Sequence, residues 1–321
     1  MASGNTITDS LADSIPTMIA SARIVREFAG VMPNLVDRQR LDENTGTVWN
    51  EVAMSKLSAQ AVTENTELDN PQQMEDTLMS ITPTVIGVHT VITDRVALRI
   101  SANAYAQTGS LAQNAIERKK DEDGLTAIDG ATTVLGDSNA LDSGTIAAAA
   151  YRITSNTTEP APANAPINAV FHGFSLKHID DELINAGLDF GTTGTGAPLT
   201  MGVAVEAYQN RYRGTIAGAR LYEDGNLTIA SNLAKGGVFS QMALVLVEGR
   251  SPYIETKRLP ELGGGATAMY HYDEYAYGER GSGNWLYEVQ ADANIVWDAI
   301  FGTRYLPAKT AAPEKVGISG L

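Results

Sequence analysis

The clearest pattern in the chain is the stretch Gln107–Gly130, where an apolar helical period runs into a block of charge. Apolar residues recur three and four positions apart after Ser110, which is a suitable N-cap. Every residue from Glu117 to Asp123 is charged, and two cations precede acids that follow one helical turn later. We predict a helical rod of roughly 30 Å that exposes its charges, because polar turns do not lie flat in one core. A surface helix broken at Gly124 is the alternative.

Residues 44–92 contain two β-rich segments separated by a long polar connection. Thr47–Val52 and Thr84–Ile92 are rich in β-branched residues and predict the two strands of an excursion. About thirty residues lie between them, acidic around Thr63–Pro71 and too poor in large apolar side chains to build a core. Connections of this length in a compact domain are functional or pack on a partner. We therefore predict an extended loop, with a disordered surface loop as the alternative.

The other apolar repeats predict shorter elements. Residues 1–14 are small and polar and indicate an arm, and an amphipathic helix begins at Ile15 and ends before Pro33. After Gly130 helices and strands alternate, which indicates a second domain of the α+β class. The predicted helices lie at Thr93–Ile100, Thr145–Ile153, Leu176–Asn185 and Val203–Tyr212, and the predicted strands at Ile167–Phe171, Thr215–Tyr222 and Gln241–Val247.

The last third of the chain is aromatic and alternating. A stripe of four tyrosines within Tyr270–Tyr277 precedes a turn at 281–284, and Trp285–Ala291 returns on the other side. This pattern predicts a closing β-hairpin. Tyrosines on one strand face pack against a helix more often than they stack on carbohydrate or nucleic-acid bases, so we expect a packing role.

Composition limits the class of function. The chain has 321 residues, of which 43% are hydrophobic, and these are enough for a sizeable core. A formal charge of -15 argues against tight phosphate binding by the surface as a whole. The chain has no cysteine, which excludes disulfides and thiolate metal sites. No segment approaches the roughly 18 consecutive apolar residues of a membrane span, so we expect no membrane partner.

Few residues point to catalysis or ligand binding. The four histidines lie far apart, and His271 with Asp273 and Glu274 belongs to a strand pattern, where neighbouring side chains point to opposite faces. Gly191–Gly196 lacks the Gly-Lys-Ser/Thr ending of a phosphate-binding loop, and the acids of Asp180–Glu182 suit the start of a helix. We expect no cofactor, no metal site and no enzymatic activity.

Three segments together suggest a family. Thr47–Ile92 corresponds to an extended loop, Leu111–Gly130 to a spine helix and Met269–Ala293 to closing strands. In this order they resemble the major capsid proteins of tailed phages, of the Hong Kong 97 type. The resemblance implies an α+β capsid fold with an N-terminal arm and helix over 1–43, an extended loop over 44–92, a peripheral domain over 93–136 and 249–321, and an axial domain over 137–248.

The same resemblance implies a structural protein of the virion capsid, assembled in the host cytoplasm into hexamers and pentamers. Its implied partners are a portal, packaged double-stranded DNA held loosely by an acidic wall, and a scaffold. We expect the scaffold to be a separate protein, because only a few polar residues precede the first predicted helix. Decoration proteins are an open question at this stage.

We expect the subunit interface to use the extended loop, since large apolar side chains and arginines dominate interface energies. Trp49 and Met54 are the predicted apolar anchors, and Arg38 and Arg40 the predicted charged contacts. Lys56 is the one lysine in the loop, and some relatives join subunits by a Lys to Asn bond. No glutamate and asparagine pair can be assigned to Lys56, so we predict no covalent crosslink.

Two other classes stay open at this point. One is an encapsulin, a cellular nanocompartment shell of the same type of fold that loads cargo enzymes. The other is a hydrolytic enzyme that uses its aspartates and tyrosines, although no catalytic motif supports it.

Overall fold

The computed structural model describes residues 30–42, 46–64, 71–99, 104–136, 139–156, 162–163, 166–188, 209–260, 264–280 and 285–293. Within these residues five helices and fourteen strands form two sheets and a separate two-stranded arm. The predicted N-terminal helix, the glycine-rich loop at 191–196 and most of the predicted helix at 203–212 lie outside them.

The five helices begin and end close to the predicted positions where predictions exist. They are α1 Met32–Leu35, α2 Asp94–Arg99, α3 Ala104–Asp129, α4 Ser143–Ser155 and α5 Gly173–Leu188. α4 begins at a capping aspartate, because Asp142 Oδ1 accepts a hydrogen bond of 2.6 Å from Thr145 N. The predictions of a helix before the rod, an alanine-rich helix and a helix after a short strand are therefore confirmed.

The first sheet has five strands: β1 Asp37–Arg40, β4 Thr84–Thr93, β11 Leu244–Glu248, β12 Tyr253–Leu259 and β13 Ala266–Glu279. β13 is the central strand, and β4 pairs with it antiparallel over ten residues. β12 pairs with the first half of β13 on its other side, and β11 pairs with the second half. β1 runs parallel to β11 and forms one edge.

The second sheet has seven strands: β5 Val134–Leu135, β6 Ile167–Phe171, β7 Thr215–Ile216, β8 Ala219–Glu223, β9 Ile229–Ala230, β10 Leu233–Ser240 and β14 Leu286–Asp292. β10 lies at its centre, between β14 and β6. β7 and β8 form a hairpin whose two-residue turn has positive φ at Ala217 and Gly218, as a type I′ turn requires.

The helix α3 packs between the two sheets. Leu125 and Ile128 of α3 join a core that includes Phe239 of the second sheet and Leu244 of the first. The opposite face of the second sheet is covered by α4 and α5, whose Ile146 and Leu176 are fully buried there. α3 therefore lies in a core to which both sheets contribute side chains.

The predicted rod is confirmed as a helix and is longer than expected. Its 26 residues span about 39 Å at 1.5 Å per residue. Gly124 lies inside the helix and does not break it. A Cβ atom at Gly124 would lie 2.9 Å from Met32 Cβ and 3.0 Å from Tyr277 Cζ, so this position admits close packing of both neighbours.

The charged block of α3 is only partly exposed, which corrects the prediction that its charges face solvent. The ion pairs Arg118–Glu122 and Lys119–Asp123 form as expected one turn apart, at 3.4 Å and 2.6 Å. Lys120 and Asp121 are buried instead. They are tolerated there because each finds polar partners on a different sheet or loop.

Two predicted strand pairings are wrong. The strand that returns from the extended loop is β3 Asp76–Ile81, which pairs with β2 Trp49–Met54, and not Thr84–Ile92. The latter segment is β4, which follows directly after Pro83 and belongs to the first sheet. The closing hairpin is also wrong, because β13 and β14 lie in different sheets. Their apolar side chains, such as Tyr275 and Leu286, meet in the core around α3 from opposite sides.

The pairings also cut across the predicted domain boundaries. β11 falls within the predicted axial domain but pairs with β13 and β1 in the first sheet. β14 falls within the predicted peripheral domain but pairs with β10 in the second sheet.

The tyrosine stripe divides between the two faces of β13. Tyr275 and Tyr277 face α3, and the Tyr275 hydroxyl donates a hydrogen bond of 2.9 Å to Asp123 Oδ2, as predicted for a packing role. Tyr270 and Tyr272 face the other way. Tyr270 stacks on His89 with ring centroids 4.3 Å apart, so these rings support one another across strands.

Candidate assembly surface

The two-stranded arm is built so that its two faces differ. β2 and β3 are antiparallel, with Trp49 opposite Ile81 and Val52 opposite Leu78. Because side chains alternate along a strand, Trp49 and Ile81 share one face with Glu51, while Val52 and Leu78 share the other. One face turns to the body of the protein, and the other turns away from it.

The inner face anchors the arm to the first sheet. Trp49, Met79 and Ile81 pack around the buried Val245 and Val247 of β11. The strand β13 makes room for this contact at Gly278. A Cβ atom there would lie 2.2 Å from Ile81 Cδ1, so the base of the arm sits directly on the backbone of β13.

A single arginine ties the base of the arm to two other strands. Arg280 follows β13 and lies 2.7 Å from Glu51 Oε2 of β2 and 2.6 Å from Asp37 Oδ2 of β1. Its guanidinium also lies over the Trp49 ring, 5.7 Å from the ring centroid. Only 12% of this side chain is exposed, so both ion pairs are better shielded than pairs at the protein surface.

The outer face and the tip expose large apolar side chains. Leu78 is 62% exposed and Met54 is 68% exposed, although both lie within paired strands. The connection beyond the strands continues the same pattern. The exposed apolar residues of the arm are Val52, Met54, Leu57, Val62, Met74 and Leu78. Within the described part of the chain, no other segment covers this row of side chains.

The predicted interface residues divide into three groups. Met54 and Lys56 are exposed on the arm, at the end of β2 and just beyond it. Trp49 lies half-buried at the base of the arm, in the cluster with Val245 and Val247. Arg38 and Arg40 lie on β1, outside the arm, with exposed side chains that bond Glu248 and Ser251. The structure therefore brings Trp49, Met54 and Lys56 onto one element and leaves the arginines on the body beside it.

Sequence reasoning missed the other exposed apolar residues of the arm. Leu57, Val62 and Met74 stand singly in polar surroundings, so they form no period that would indicate a helix or a strand. A usable signal was present, because isolated large apolar residues in a long polar connection have no local core to enter. Leu78 was missed because β3 was not predicted.

A buried ionic cluster at the middle of α3 joins this helix to the first sheet. Lys120 Nζ lies 2.8 Å from Asp273 Oδ2 of β13 and 3.4 Å from Glu248 Oε1 of β11. Lys120 is 5% exposed and Asp273 is 2% exposed. Glu248 also accepts a hydrogen bond of 2.7 Å from Arg38 on β1. α3 is thus tied to three strands of the first sheet.

The electrostatics of Glu248 follow from this cluster. Burial raises the pKa of Glu248, but the hydrogen bond from Arg38 and the charge of Lys120 outweigh burial. The net result is a pKa below the ordinary value for glutamate, so Glu248 is ionised at neutral pH.

A cavity of about 410 Å³ lies at the start of α5. Its polar lining consists of His172, Lys177, Asp180, Arg211, Arg213 and Glu223. Arg213 lies 3.4 Å from Asp180 and 2.7 Å from Glu223, so it pairs with both carboxylates. Burial raises the pKa of Asp180 and lowers that of His172.

The described residues contain neither a metal site nor a helix suited to crossing a membrane. No group of three or more His, Asp or Glu side chains is placed to hold a metal ion. No described helix combines the length and the apolar character that crossing a membrane requires.

Solved structures with the same fold come from phage particles. A chain of the Mycobacterium phage Che8 matches with a TM-score of 0.63 and 15% identity, over 86% of this chain and 96% of its own. The capsid structure of the cyanophage P-SCSP1u matches with a TM-score of 0.63 and 13% identity, over 90% and 95%. The head structure of Helicobacter pylori bacteriophage KHP40 matches with a TM-score of 0.64 and 8% identity, over 92% and 100%.

No protein-family model and no curated protein matches the sequence. At the identities of the matched structures, the likeness establishes the fold. This chain has a mixed helix and sheet fold that it shares, over nearly its whole length, with chains of phage capsid and head structures.

Proposed function

We propose that this chain is the major capsid protein of a tailed phage, which self-assembles into the icosahedral head around a double-stranded DNA genome. The observation that carries the proposal is the arm, because a chain with the fold of phage capsid structures exposes a row of large apolar side chains on it. Exposed apolar rows of this kind mark protein contact sites. In the proposed shell, neighbouring copies cover them.

The proposed arrangement is of the Hong Kong 97 type, with hexamers and pentamers of this chain forming the lattice. The proposed parts are the N-terminal arm and helix over 1–43, the extended loop over 44–92, the peripheral domain over 93–136 and 249–321, and the axial domain over 137–248. In this arrangement, β11 contributes to the peripheral sheet and β14 to the axial sheet.

In the proposed shell, stability is a sum over repeated interfaces rather than a property of one subunit. The outer face of the arm supplies the apolar part of the contact, with Met54 and Lys56 near its end. Arg38 and Arg40 supply exposed cations beside the base of the arm. A net charge of -15 suits a wall that holds packaged DNA loosely.

The proposed role is structural rather than catalytic, in the virion capsid, after assembly in the host cytoplasm. Its proposed partners are other copies of itself, a portal and a separate scaffold protein. Lys56 forms no crosslink between subunits in this proposal. Denaturing gels of purified heads should therefore show a single monomer band, and a ladder of multimers would contradict this point.

Electron microscopy of the full chain, expressed with the structural genes that neighbour it, tests the proposal. Closed shells of tens of nanometres with hexamers and pentamers of this chain would support it, and nucleic acid inside them would identify a phage head. Shells filled with a protein cargo would support the encapsulin alternative instead. Small monodisperse oligomers in every co-expression would contradict a capsid function.

A further inference from the structure

Two buried carboxyl groups meet where the described N-terminal segment enters the fold. Asp121 lies on α3, and Asp224 follows β8 of the second sheet. Both residues are 0% exposed. The two carboxyl groups are neighbours, because Asn226 donates a hydrogen bond to each of them and burial, together with the charge of Asp121, raises the pKa of Asp224. Two carboxylates so close together cannot both be ionised without a large cost.

The pair holds the backbone of the entering segment. Met32 N donates a hydrogen bond of 2.9 Å to Asp121 Oδ1, and Val31 N donates one of 3.5 Å to Asp224 Oδ2. Gly30 packs on the side chain of Asp121, since a Cβ atom at Gly30 would lie 2.3 Å from Asp121 Cγ. Three consecutive residues therefore contact this pair.

The remaining groups that face the pair are neutral. Asn226 donates from its side chain to Asp121 Oδ2 at 2.8 Å and from its backbone to Asp224 Oδ1 at 2.9 Å. From β13 the Tyr277 phenol faces Asp121. Burial, followed by the charges of Asp121 and Asp123, raises the pKa of Tyr277, and the charge of Arg38 acts in the opposite direction. Lys120, next to Asp121 on α3, is turned to Asp273 and Glu248 instead.

No Lys, Arg or His of the described residues forms an ion pair with Asp121 or Asp224. Burial, followed by repulsion from Asp121, raises the pKa of Asp224 to about 7, even though the N–H groups of Asn226 and Val31 act in the opposite direction. The docked pair therefore holds one proton below neutral pH and loses it above neutral pH.

We propose that Asp121 and Asp224 form a proton-controlled latch on residues 30–32, closed while the pair shares one proton and weakened when both groups are ionised. The inference rests on the two carboxyl groups and the backbone N–H groups they hold. It does not depend on the proposed function, and it assigns a pH response to the docking of the N-terminal segment.

The direction of the response follows from linkage. Asp224 binds its proton more tightly when the segment is docked than when water reaches the group, so docking is favoured at low pH. The advantage is complete below the ordinary pKa of aspartate, 3.8, and is lost as the pH rises through about 7. Between pH 6 and pH 8.5 the docking equilibrium should weaken by about tenfold.

Hydrogen–deuterium exchange of the full chain tests the latch. The readout is the exchange rate of peptides that cover residues 30–36, divided by the intrinsic rate at each pH. The wild-type chain should lose about tenfold in protection between pH 6 and pH 8.5. Asp224→Asn should lose the pH dependence, because it removes the titrating group. Its protection should be constant and lower than that of the wild-type chain at pH 6, because the amide nitrogen of Asn cannot accept one of the two N–H groups that Asp224 accepts.

Asp129→Asn is the matched control, since Asp129 lies on the same helix but is exposed. It should show the wild-type pH profile. Constant protection in the wild-type chain, or an unchanged pH dependence in Asp224→Asn, would overturn the proposal.

Infrared spectroscopy provides a second readout that does not need Asp224→Asn to fold. The wild-type chain should show the C=O band of a protonated carboxyl group at pH 6, and the band should disappear by pH 8.5. Absence of the band at pH 6 would overturn the proposal as well.

Discussion

The arm and the middle of α3 reverse the usual distribution of side chains in opposite ways. The arm exposes apolar side chains such as Leu78 and Met54, while α3 buries the charged side chains of Lys120 and Asp121. In the helix, each buried charge has its polar partners within the same chain, on β11, β13 and the residues after β8. In the arm, the described residues supply no cover for the apolar row.

The two regions differ in where the partners of their side chains lie. A buried ion whose partners are present belongs to the subunit, because removing one partner leaves an uncompensated charge in its interior. An exposed apolar row without a partner belongs to a contact with another molecule. Substitutions on the arm should therefore impair assembly, and substitutions in the middle of α3 should impair the stability of the subunit.

The largest effect is expected from Val52→Thr combined with Leu78→Thr, which makes the outer face of the arm polar and keeps residues suited to strands. Each buried apolar side chain contributes about 1.5–3 kcal/mol to a contact, so the yield of closed shells should fall by at least about tenfold. The free energy of unfolding of the unassembled subunit should change by less than about 0.5 kcal/mol, because these side chains are exposed.

Shell yield by gradient sedimentation and electron microscopy measures the first quantity, and urea denaturation of the subunit measures the second. Ile254→Thr is the control, because Ile254 is 61% exposed but lies on β12, away from the arm. An equal loss of shells in this control would show that the arm contributes no more to assembly than another exposed apolar position.

Replacing the buried lysine should affect the subunit itself. Lys120→Met leaves the buried Asp273 without its cation, and it should destabilise the subunit by about 3–5 kcal/mol in urea denaturation. Lys119→Met removes an exposed pair one position away and should cost less than about 0.5 kcal/mol. Adding Asp273→Asn to Lys120→Met should recover part of the loss, because the uncompensated charge is then absent. Equal effects of Lys119→Met and Lys120→Met would mean that the buried cluster contributes no more than a surface pair.

Two glycines of α3 should respond in opposite directions to alanine. Gly124→Ala places a methyl group within 3.0 Å of Met32 and Tyr277, and it should destabilise the subunit by about 1–3 kcal/mol. At Gly109 the nearest atom to the new Cβ would be 3.8 Å away, and Gly109→Ala should stabilise the helix by about 0.5–1 kcal/mol. Thermal unfolding of both variants measures the difference, and a stabilising Gly124→Ala would show that α3 packs less closely than described.

The smallest effect is expected at the edge of the ionic cluster. Arg38→Gln should cost less than about 1 kcal/mol, because 51% of the Arg38 side chain is exposed and water screens the pair. The pKa of Glu248 lies below its ordinary value of 4.5, so this contribution is present above pH 4.5 and is lost as the pH falls below it. Denaturation at pH 7 and pH 3 should show the difference between wild type and Arg38→Gln only at pH 7.

Local patterns predicted local structure well. α3 was found from its apolar period, and its i,i+4 ion pairs from the order of charge, because both depend on residues close in sequence. The burial of Lys120 was not predicted, since its partners lie more than a hundred residues away on β11 and β13. The same limit applies to Asp121 and Asp224, which are 103 positions apart in the sequence and meet only in the folded chain.

Strands were harder to predict than helices because a strand is stabilised by its neighbours. β3 has the sequence DTLMSI, in which only Met79 and Ile81 face the body, and such a short run gives no clear alternation. The arm was nevertheless predicted as an element from the length of its connection. The outer face of the arm could not be predicted, because β3 was not predicted and the sequence does not reveal which face of such a strand turns away from the body.

The order in which the chain visits its sheets constrains how the protein can be synthesised and divided. β1 and β4 belong to the first sheet, β5–β10 to the second, β11–β13 to the first again, and β14 to the second. No single cut of the backbone yields two fragments that each carry a complete sheet. During translation the first sheet is complete only once residue 279 is available, and the second only once residue 292 is available. We therefore expect the two sheets to fold late and together. Neither fragment of a divided chain should fold alone, and mixing the two fragments should restore the fold.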